Sequence, residues 1–235
     1  MFIDIHCHVI WGVDDGGNSR EETFQMLREA AEDGIHKIIA TPHMTPGVYE
    51  FPEDVFQAHM AVARDFIARE NLGIELTRGA EILYTDLTAR LLREGKTPTL
   101  EESSHPLIEF SPTDSWDHIK NALQKVSGAG FSPIIAHMER YPAIKSVDQV
   151  RMLKENLRSL VQINARTLTR KQPLLRRKYF DRLFQENLVD FVATDTHSMP
   201  GRGTCMTEGM EALKQKYGED CYRRIMDKTA RYFGD

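Results

Sequence analysis

Two short patterns in this chain bring metal-binding side chains together in pairs. His6-Cys7-His8 and Asp195-Thr196-His197 each set two ligand-capable residues two positions apart. In an extended strand that spacing points both side chains to one face, with Cys7 turned the other way into packing. His43, Glu81, Glu109 and His137 each stand in or beside a short apolar run. Asp14 and Asp15 lie in the loop Trp11-Gly12-Val13-Asp14-Asp15-Gly16, and spacing does not choose between them. Imidazole and carboxylate donors without thiolate suit manganese, iron or zinc. A lone histidine or carboxylate near a strand end is ordinarily structural or solvated. The case for a site rests on all of these residues falling at equivalent places.

Those places are set by an alternation of elements. Apolar runs suited to buried parallel strands recur at 2–5, 37–40, 74–77, 106–110, 133–136, 160–163 and 190–194. Between them, helical spacing appears at 20–33, 52–70, 115–128, 147–158, 173–187 and about 204–217, with a last helix near 220–232. Ser19 followed by Glu22 has the form of a capping box, and Gly34 is a stop signal. Strand alternating with helix implies a parallel sheet with helices outside it. Six of the seven predicted strands run into a candidate ligand at or near their C-terminal ends. In a β/α barrel those ends form the active-site face, so the candidates would converge there. The expectation is an α/β fold, a distorted seven-stranded (β/α)7 barrel, as a single domain over residues 1–235. An open doubly wound sheet has the same periodicity.

Composition narrows the function classes. The chain has 235 residues, 41% hydrophobic and 28% charged, which suits one substantial core. Its net charge of −5 lacks the basic footprint of a nucleic-acid binder. Three scattered cysteines, Cys7, Cys205 and Cys221, give no disulfide framework. No run approaches the ~18 apolar residues of a membrane span, so no membrane insertion and a cytoplasmic location are expected.

The motifs resemble a known superfamily. His6-Cys7-His8, residues 11–16, Ala40-Thr41-Pro42-His43, Gly79-Ala80-Glu81-Ile82, Leu107-Ile108-Glu109-Phe110, residues 134–140 and 193–197 stand in the order seen in polymerase-and-histidinol-phosphatase (PHP) proteins. More closely, they resemble the bacterial tyrosine phosphatases of capsule and exopolysaccharide loci, from residue 2 to about 203. The resemblance implies a distorted seven-unit barrel and three divalent ions, commonly manganese. It makes His6, His8, Glu81 and Asp195 ligands of a first ion, and has Glu81 bridge to a second ion held by Glu109 and His137. It gives the third ion to Asp14, His43 and His197, and phosphate binding to Arg140 and Arg202. The chain departs from the family's usual wording at His137-Met138-Glu139-Arg140 and at Thr194–His197, without losing a ligand. The implied partner is a phosphotyrosine protein, a tyrosine autokinase of polysaccharide export.

The chemistry follows from that ligand set. Three divalent ions with four carboxylates leave a positive centre that attracts a phosphate dianion. Paired ions lower the pKa of a shared water, and arginine forks stabilise charge on the phosphoryl oxygens. Direct hydrolysis without a phosphoenzyme is therefore expected. A cysteine phosphatase needs an arginine six residues after its nucleophile; the three cysteines have Val13, Glu211 and Asp227 there. Histidinol-phosphate phosphatase is the alternative substrate class within the superfamily, and a metal-bound module without activity is the alternative outside enzymes. A degenerate module would lose ligands, whereas all nine candidates are present. His36, His59 and His118 read as surface or boundary positions, and His105, before Pro106 at a strand entrance, as lying on the wrong face for the site. The basic stretch from Arg166 to Lys178 reads as a solvated face able to guide an acidic phosphopeptide, with Arg176 and Arg177 as its test positions. The loop from Met44 to Phe51, with Tyr49 and Phe51, reads equally as an aromatic rim to the pocket or as ordinary loop packing.

Overall fold

The computed structural model describes residues 1–197 and 203–234. Nine strands are described: β1 (Phe2–Cys7), β2 (Ile35–Ala40), β3 (His43–Met44), β4 (Glu75–Arg78), β5 (Glu81–Leu83), β6 (Leu107–Glu109), β7 (Ile134–Ile135), β8 (Leu160–Asn164) and β9 (Phe191–Ala193). All pair in parallel, in the orders β1-β2-β4 and β3-β5-β6-β7-β8-β9. Beyond β9 the chain lies against β1: Asp195 N–H donates to His6 O at 2.8 Å and His8 N–H to Thr196 O at 2.8 Å. The seven apolar runs fall on β1, β2, β4, β6, β7, β8 and β9. The sequence pattern missed β3 and β5 because Pro42 and Gly79 interrupt two runs that continue past them.

Nine helices are described: α1 (Arg20–Glu32), α2 (Glu53–Glu70), α3 (Thr88–Arg93), α4 (Trp116–Gly128), α5 (Val147–Leu157), α6 (Ala165–Thr169), α7 (Leu174–Gln185), α8 (Met206–Tyr217) and α9 (Glu219–Phe233). The two short ones, α3 and α6, were not expected. Ser19 caps α1 through Glu22 N–H, but the Glu22 carboxylate reaches Asn18 N–H at 2.7 Å, one residue beyond the capping-box position. The full capping box belongs to α5, between Ser146 and Gln149. No described helix is long and apolar enough to cross a membrane.

Burial sorts into two cores. A large cluster fills the space between strands and helices and includes Cys7, Val161 and Ile163. A smaller one joins Ile3, Ile5, Leu107, Leu160, Phe191 and Ala193, with Phe233 of α9 among them. Leu107 and Leu160 sit two residues before Glu109 and Gln162, so the smaller cluster and the candidate site share one face of β6 and β8. Strict alternation would then put Ile3 and Ile5 on that face and send His6 and His8 to the other. A register shift between Asp4 and Cys7 resets the parity. Asp4 steadies that irregularity: its Oδ1 accepts from Thr194 N–H at 3.0 Å and, more weakly, from His6 N–H at 3.4 Å.

At the opposite end, fully buried Asp190 accepts from Lys154, Lys228 and the Val161 N–H. Removing a buried partner of this kind leaves charges and a backbone donor unsatisfied, at about 3 kcal/mol. Asp190→Ala is therefore expected to lower the urea midpoint clearly while keeping the same secondary structure. An unchanged midpoint would mean the cluster contributes nothing net.

Candidate metal centre

Glu81 is the hub of the site. Its side chain is 0% exposed, and Oε2 lies 3.2 Å from His6 Nε2, 3.2 Å from His8 Nε2 and 3.0 Å from His43 Nδ1. None of these contacts has hydrogen-bond geometry, so Oε2 is a buried carboxylate oxygen ringed by imidazole nitrogens without accepting a hydrogen bond. Its other oxygen is 2.7 Å from His137 Nε2. The backbone delivers Glu81 here through the break between β4 and β5. His43 is the register partner of Glu81, and Glu109 that of Leu83. A Cβ on Gly79 would stand 2.8 Å from Leu100 Cδ2 and 3.0 Å from Ile39 Cγ2, so any larger residue there requires those side chains to shift.

The histidine rings are oriented from behind. His6 Nδ1 lies 3.2 Å from Gln162 Oε1, His8 Nδ1 2.7 Å from Asp14 Oδ2, and His197 Nδ1 3.1 Å from the carbonyl oxygen of Asp195. These acceptors hold the proton on Nδ1 and leave the Nε2 lone pairs aimed at the centre, the arrangement that metal-ligating histidines adopt. His137 Nδ1 faces the Tyr141 hydroxyl at 3.2 Å, which fits the same tautomer. His137 and Asp195 also hold left-handed backbone, with φ of 29° and 53°. Such strain in residues with a Cβ gathers at functional sites.

Three groups of donor atoms, each within 4.8 Å of one another, result: His6, His8 and Glu81; His43, Glu81 and Glu109; and His8, Asp15, His43 and His197. Asp195 Oδ1 adds to the first, 3.6 Å from His6 Nε2, and His137 Nε2 to the second, 3.5 Å from Glu109 Oε1. Asp14 and Asp15 divide the work of their loop. Asp14 is spent on His8, on Gly16 N–H at 2.9 Å and on His43 N–H at 3.1 Å. Asp15, 70% exposed at its side chain, points Oδ1 to His43 Nε2 at 3.2 Å and His197 Nε2 at 3.4 Å. Gly16 is pressed so close to the His8 carbonyl that a Cβ would meet it at 2.1 Å. Trp11 stacks on His59 of α2 at 3.8 Å, and the Tyr49 hydroxyl donates to Val13 O at 2.5 Å. His59 and Tyr49 thus brace the loop, while Phe51 is buried against Phe56 and forms no rim.

The centre demands positive charge. Burial pushes the His8 pKa down, but Asp14 and Glu81 outweigh it and raise it to about 10. Burial raises Asp195, but His6 and His8 more than reverse this and bring it to about 2. Burial, followed by the charge of Glu81, holds Glu109 above the usual carboxylate range. Protons on imidazole or bound cations both meet that demand, and the nitrogen–carboxylate donor set fits divalent ions.

Eight of the nine expected ligands thus face one centre through donor atoms, and Asp14 stands behind His8. Arg140, 39% exposed at its side chain, donates to Asp195 at the mouth. Arg202 lies outside the described residues. The cysteines are buried and reluctant to ionise; burial pushes Cys205 up to about 11 and Cys7 well above its usual value. His105 bonds Ser132 O and touches Phe233, far from the centre in the fold. Gln162, Asn164 and Tyr141 were missed. The signal for two of them was two polar residues, Gln162 and Asn164, in the apolar run of β8, where both are buried. They form a line from His6 through Gln162 and Asn164 to Asp195, with Nδ2 of Asn164 donating at 2.7 Å.

A parallel α/β fold that gathers four histidines around a buried glutamate at its strand ends, with a fifth, His197, beside two of them, defines a candidate metalloenzyme. The family model described as capsular polysaccharide synthesis, CpsB/CapC, matches residues 2–233, and the chain belongs to that family. It is 30% identical over 227 residues to the tyrosine-protein phosphatase CpsB of Streptococcus pneumoniae, covering 92% of this chain and 91% of the relative. It is 29% identical over 240 residues to the protein of the same name from Streptococcus agalactiae, covering 97% and 96%. Among solved structures, it superposes with a TM-score of 0.87 on a chain from the work on YwqE of Bacillus subtilis and CpsB of Streptococcus pneumoniae, metal-dependent tyrosine phosphatases. That match has 25% identity and covers 99% of this chain and 94% of the other.

Gln162→Leu tests the support behind the rings. It frees the His6 ring and leaves the His137 N–H, now 2.7 Å from Gln162 Oε1, without its acceptor. The expected result is a ten- to hundredfold loss of manganese affinity, on the order found for such supporting residues, measured by chelator competition. Unchanged affinity would show that the ring needs no such anchor.

Proposed function

We propose that this chain is a metal-dependent protein-tyrosine phosphatase, closed as a seven-unit β/α barrel, that binds three divalent ions at the strand ends. The observation that carries the reading is Glu81 Oε2, wholly buried among three imidazole nitrogens at 3.0–3.2 Å without a hydrogen bond. A carboxylate oxygen in that position is stabilised by cations and by little else. His6, His8, Glu81 and Asp195 hold one ion; Glu81, Glu109 and His137 hold a second. His43 and His197 hold the third with a carboxylate of the Asp14–Asp15 pair. The distances favour Asp15 there, since Asp14 is engaged with His8. Manganese is the proposed metal, with iron or zinc compatible with the same donors.

Bound there, the ions would supply Lewis acidity toward phosphoryl oxygens and lower the pKa of water. The chain's own groups do the rest. Arg140 has guanidinium N–H donors beyond the one given to Asp195, and with Arg202 would grip the phosphoryl group in a fork. Glu109 and His43 are the more exposed donors of the inner groups and mark the side from which substrate enters. The phenolate of phosphotyrosine, with a solution pKa near about 10, departs with little proton assistance. Relatives named as tyrosine-protein phosphatases and a family described by capsular polysaccharide synthesis support a phosphotyrosine protein as the substrate, and a tyrosine autokinase is the proposed partner.

The test is manganese-supported phosphate release from a phosphotyrosine peptide and from histidinol phosphate, for wild type and His6→Ala. The expected outcome is preference for the peptide and at least about a hundredfold loss in the variant, as for removal of a metal ligand. In the same assay Asp15→Asn should cost more than Asp14→Asn. Preference for histidinol phosphate would replace the substrate; an active His6→Ala would remove the metal centre from the mechanism.

A further inference from the structure

Beside the metal centre, past Asp195, lies a pocket of about 260 Å³ between the end of β8 and the start of α7. Four arginines line it: Arg140, Arg166, Arg170 and Arg176. We propose that this pocket binds an anionic side chain of the substrate peptide, next to the phosphotyrosine. The proposal rests on the phosphotyrosine reading above and adds the peptide chemistry that reading leaves open.

Charge at the pocket is unbalanced. Arg166 donates to Gly203 O at 2.8 Å and Arg176 to Glu139 O at 2.8 Å, so both spend donors on neutral carbonyls. Among the described residues, no carboxylate forms an ion pair with Arg166, Arg170 or Arg176. Several arginines elsewhere on the surface do form such pairs, Arg151 and Arg182 with Glu186 and Arg223 with Glu219. The two carboxylates that line the pocket offset part of its charge but not all of it: Asp195 pairs with Arg140, and the Glu139 Oε2 is buried without a hydrogen-bond partner. Asp195 belongs to the metal centre, and Glu139 Oε1 accepts from Asn164 N–H and the Thr167 hydroxyl, both at 2.9 Å. Arg176 stands in the first turn of α7, which has no acidic residue there and no capping side chain, so the helix end adds positive potential. This surplus sits on a chain with a net charge of −5.

Size and position narrow the ligand. The volume suits one carboxylate or phosphoryl group, below the range of pockets for whole small molecules, about 300–1,000 Å³. Asp195 and Arg140 form its wall toward the centre, and an extended peptide advances about 3.3 Å per residue. The anion therefore belongs to a residue within one or two positions of the phosphotyrosine. Guanidinium forks match carboxylate and phosphoryl oxygens alike, and arginine clusters are a recurrent means of reading acidic and phosphorylated motifs. The structure also divides the basic stretch: Arg170 and Arg176 face the pocket, whereas Arg177 does not line it.

The experiment compares three phosphotyrosine peptides that differ at the flanking positions: glutamate, glutamine or phosphoserine. Wild type and Arg170→Ser/Arg176→Ser are assayed with manganese, with p-nitrophenyl phosphate as the small-substrate control. Wild type is expected to show a KM about fivefold lower for an anionic flank than for glutamine, on the scale of a few exposed ion pairs. The double variant should lose that discrimination and keep its turnover of p-nitrophenyl phosphate. Whether the glutamate or the phosphoserine flank gains more identifies the anion. Discrimination that survives in the double variant, or equal losses on all three peptides, would overturn the proposal. If wild type hydrolyses none of them, the phosphatase reading fails. The pocket is then judged by fluorescence anisotropy of a labelled, unphosphorylated glutamate peptide. Salt-sensitive binding lost in the double variant supports it, and equal binding by both proteins overturns it.

Discussion

A carboxylate with no exposed surface must find its charge partners inside the protein, and Glu81 finds them in four histidine rings. Much of the architecture can be read as the means of bringing those rings to it. Pro42 and Gly79 break two strands so that β3 and β5 begin again with His43 and Glu81 as register partners. The irregularity in β1 turns His6 and His8 onto the face where Glu109 and Gln162 already point. Contacts beyond β9 fasten Asp195 to His6 through the backbone, and Asp4 ties Thr194 to the same strand. Were any of these to relax, a buried anion would lose compensation in a low-dielectric site, where it is most costly.

The supporting groups are as ordered as the candidate ligands. Gln162, Asp14 and Asn164 are held by hydrogen bonds of their own, which fixes ring orientation and tautomer before any ion or substrate arrives. Only the mouth is open, at His43, Glu109, Asp15 and Arg140. Specificity then falls to what lies outside that mouth. There the carboxylate-rich centre gives way to Arg166, Arg170 and Arg176, which among the described residues form no ion pair with a carboxylate, a change of electrostatic character over a short distance.

Much of this was legible in the sequence, for identifiable reasons. Buried parallel strands need continuous apolar runs, so β1, β2, β4 and β6 to β9 announced themselves, and their C-terminal ends carried the candidate ligands. Restarted strands of two or three residues carry no periodicity, so β3 and β5 did not. The His-x-His spacing correctly put both rings on one face, yet which face depended on a bulge that no alternation rule reveals. Asp14 and Asp15 could not be separated because adjacent loop residues are distinguished only by the turn that Gly16 makes. Gln162 and Asn164 stand out only as polar residues in a buried strand, and an amide there carries no spacing signal that marks it as a support for imidazole. Arg140 rested on family resemblance alone; nothing in its spacing points to the centre.

The most direct test of the central claim is anomalous scattering from crystals of the manganese-loaded protein. The account predicts at least two manganese peaks within coordination distance, about 2.0–2.5 Å, of the Glu81 carboxylate, with His6, His8 and His137 completing them. Manganese bound only elsewhere, or no peak within that distance of Glu81, would contradict it.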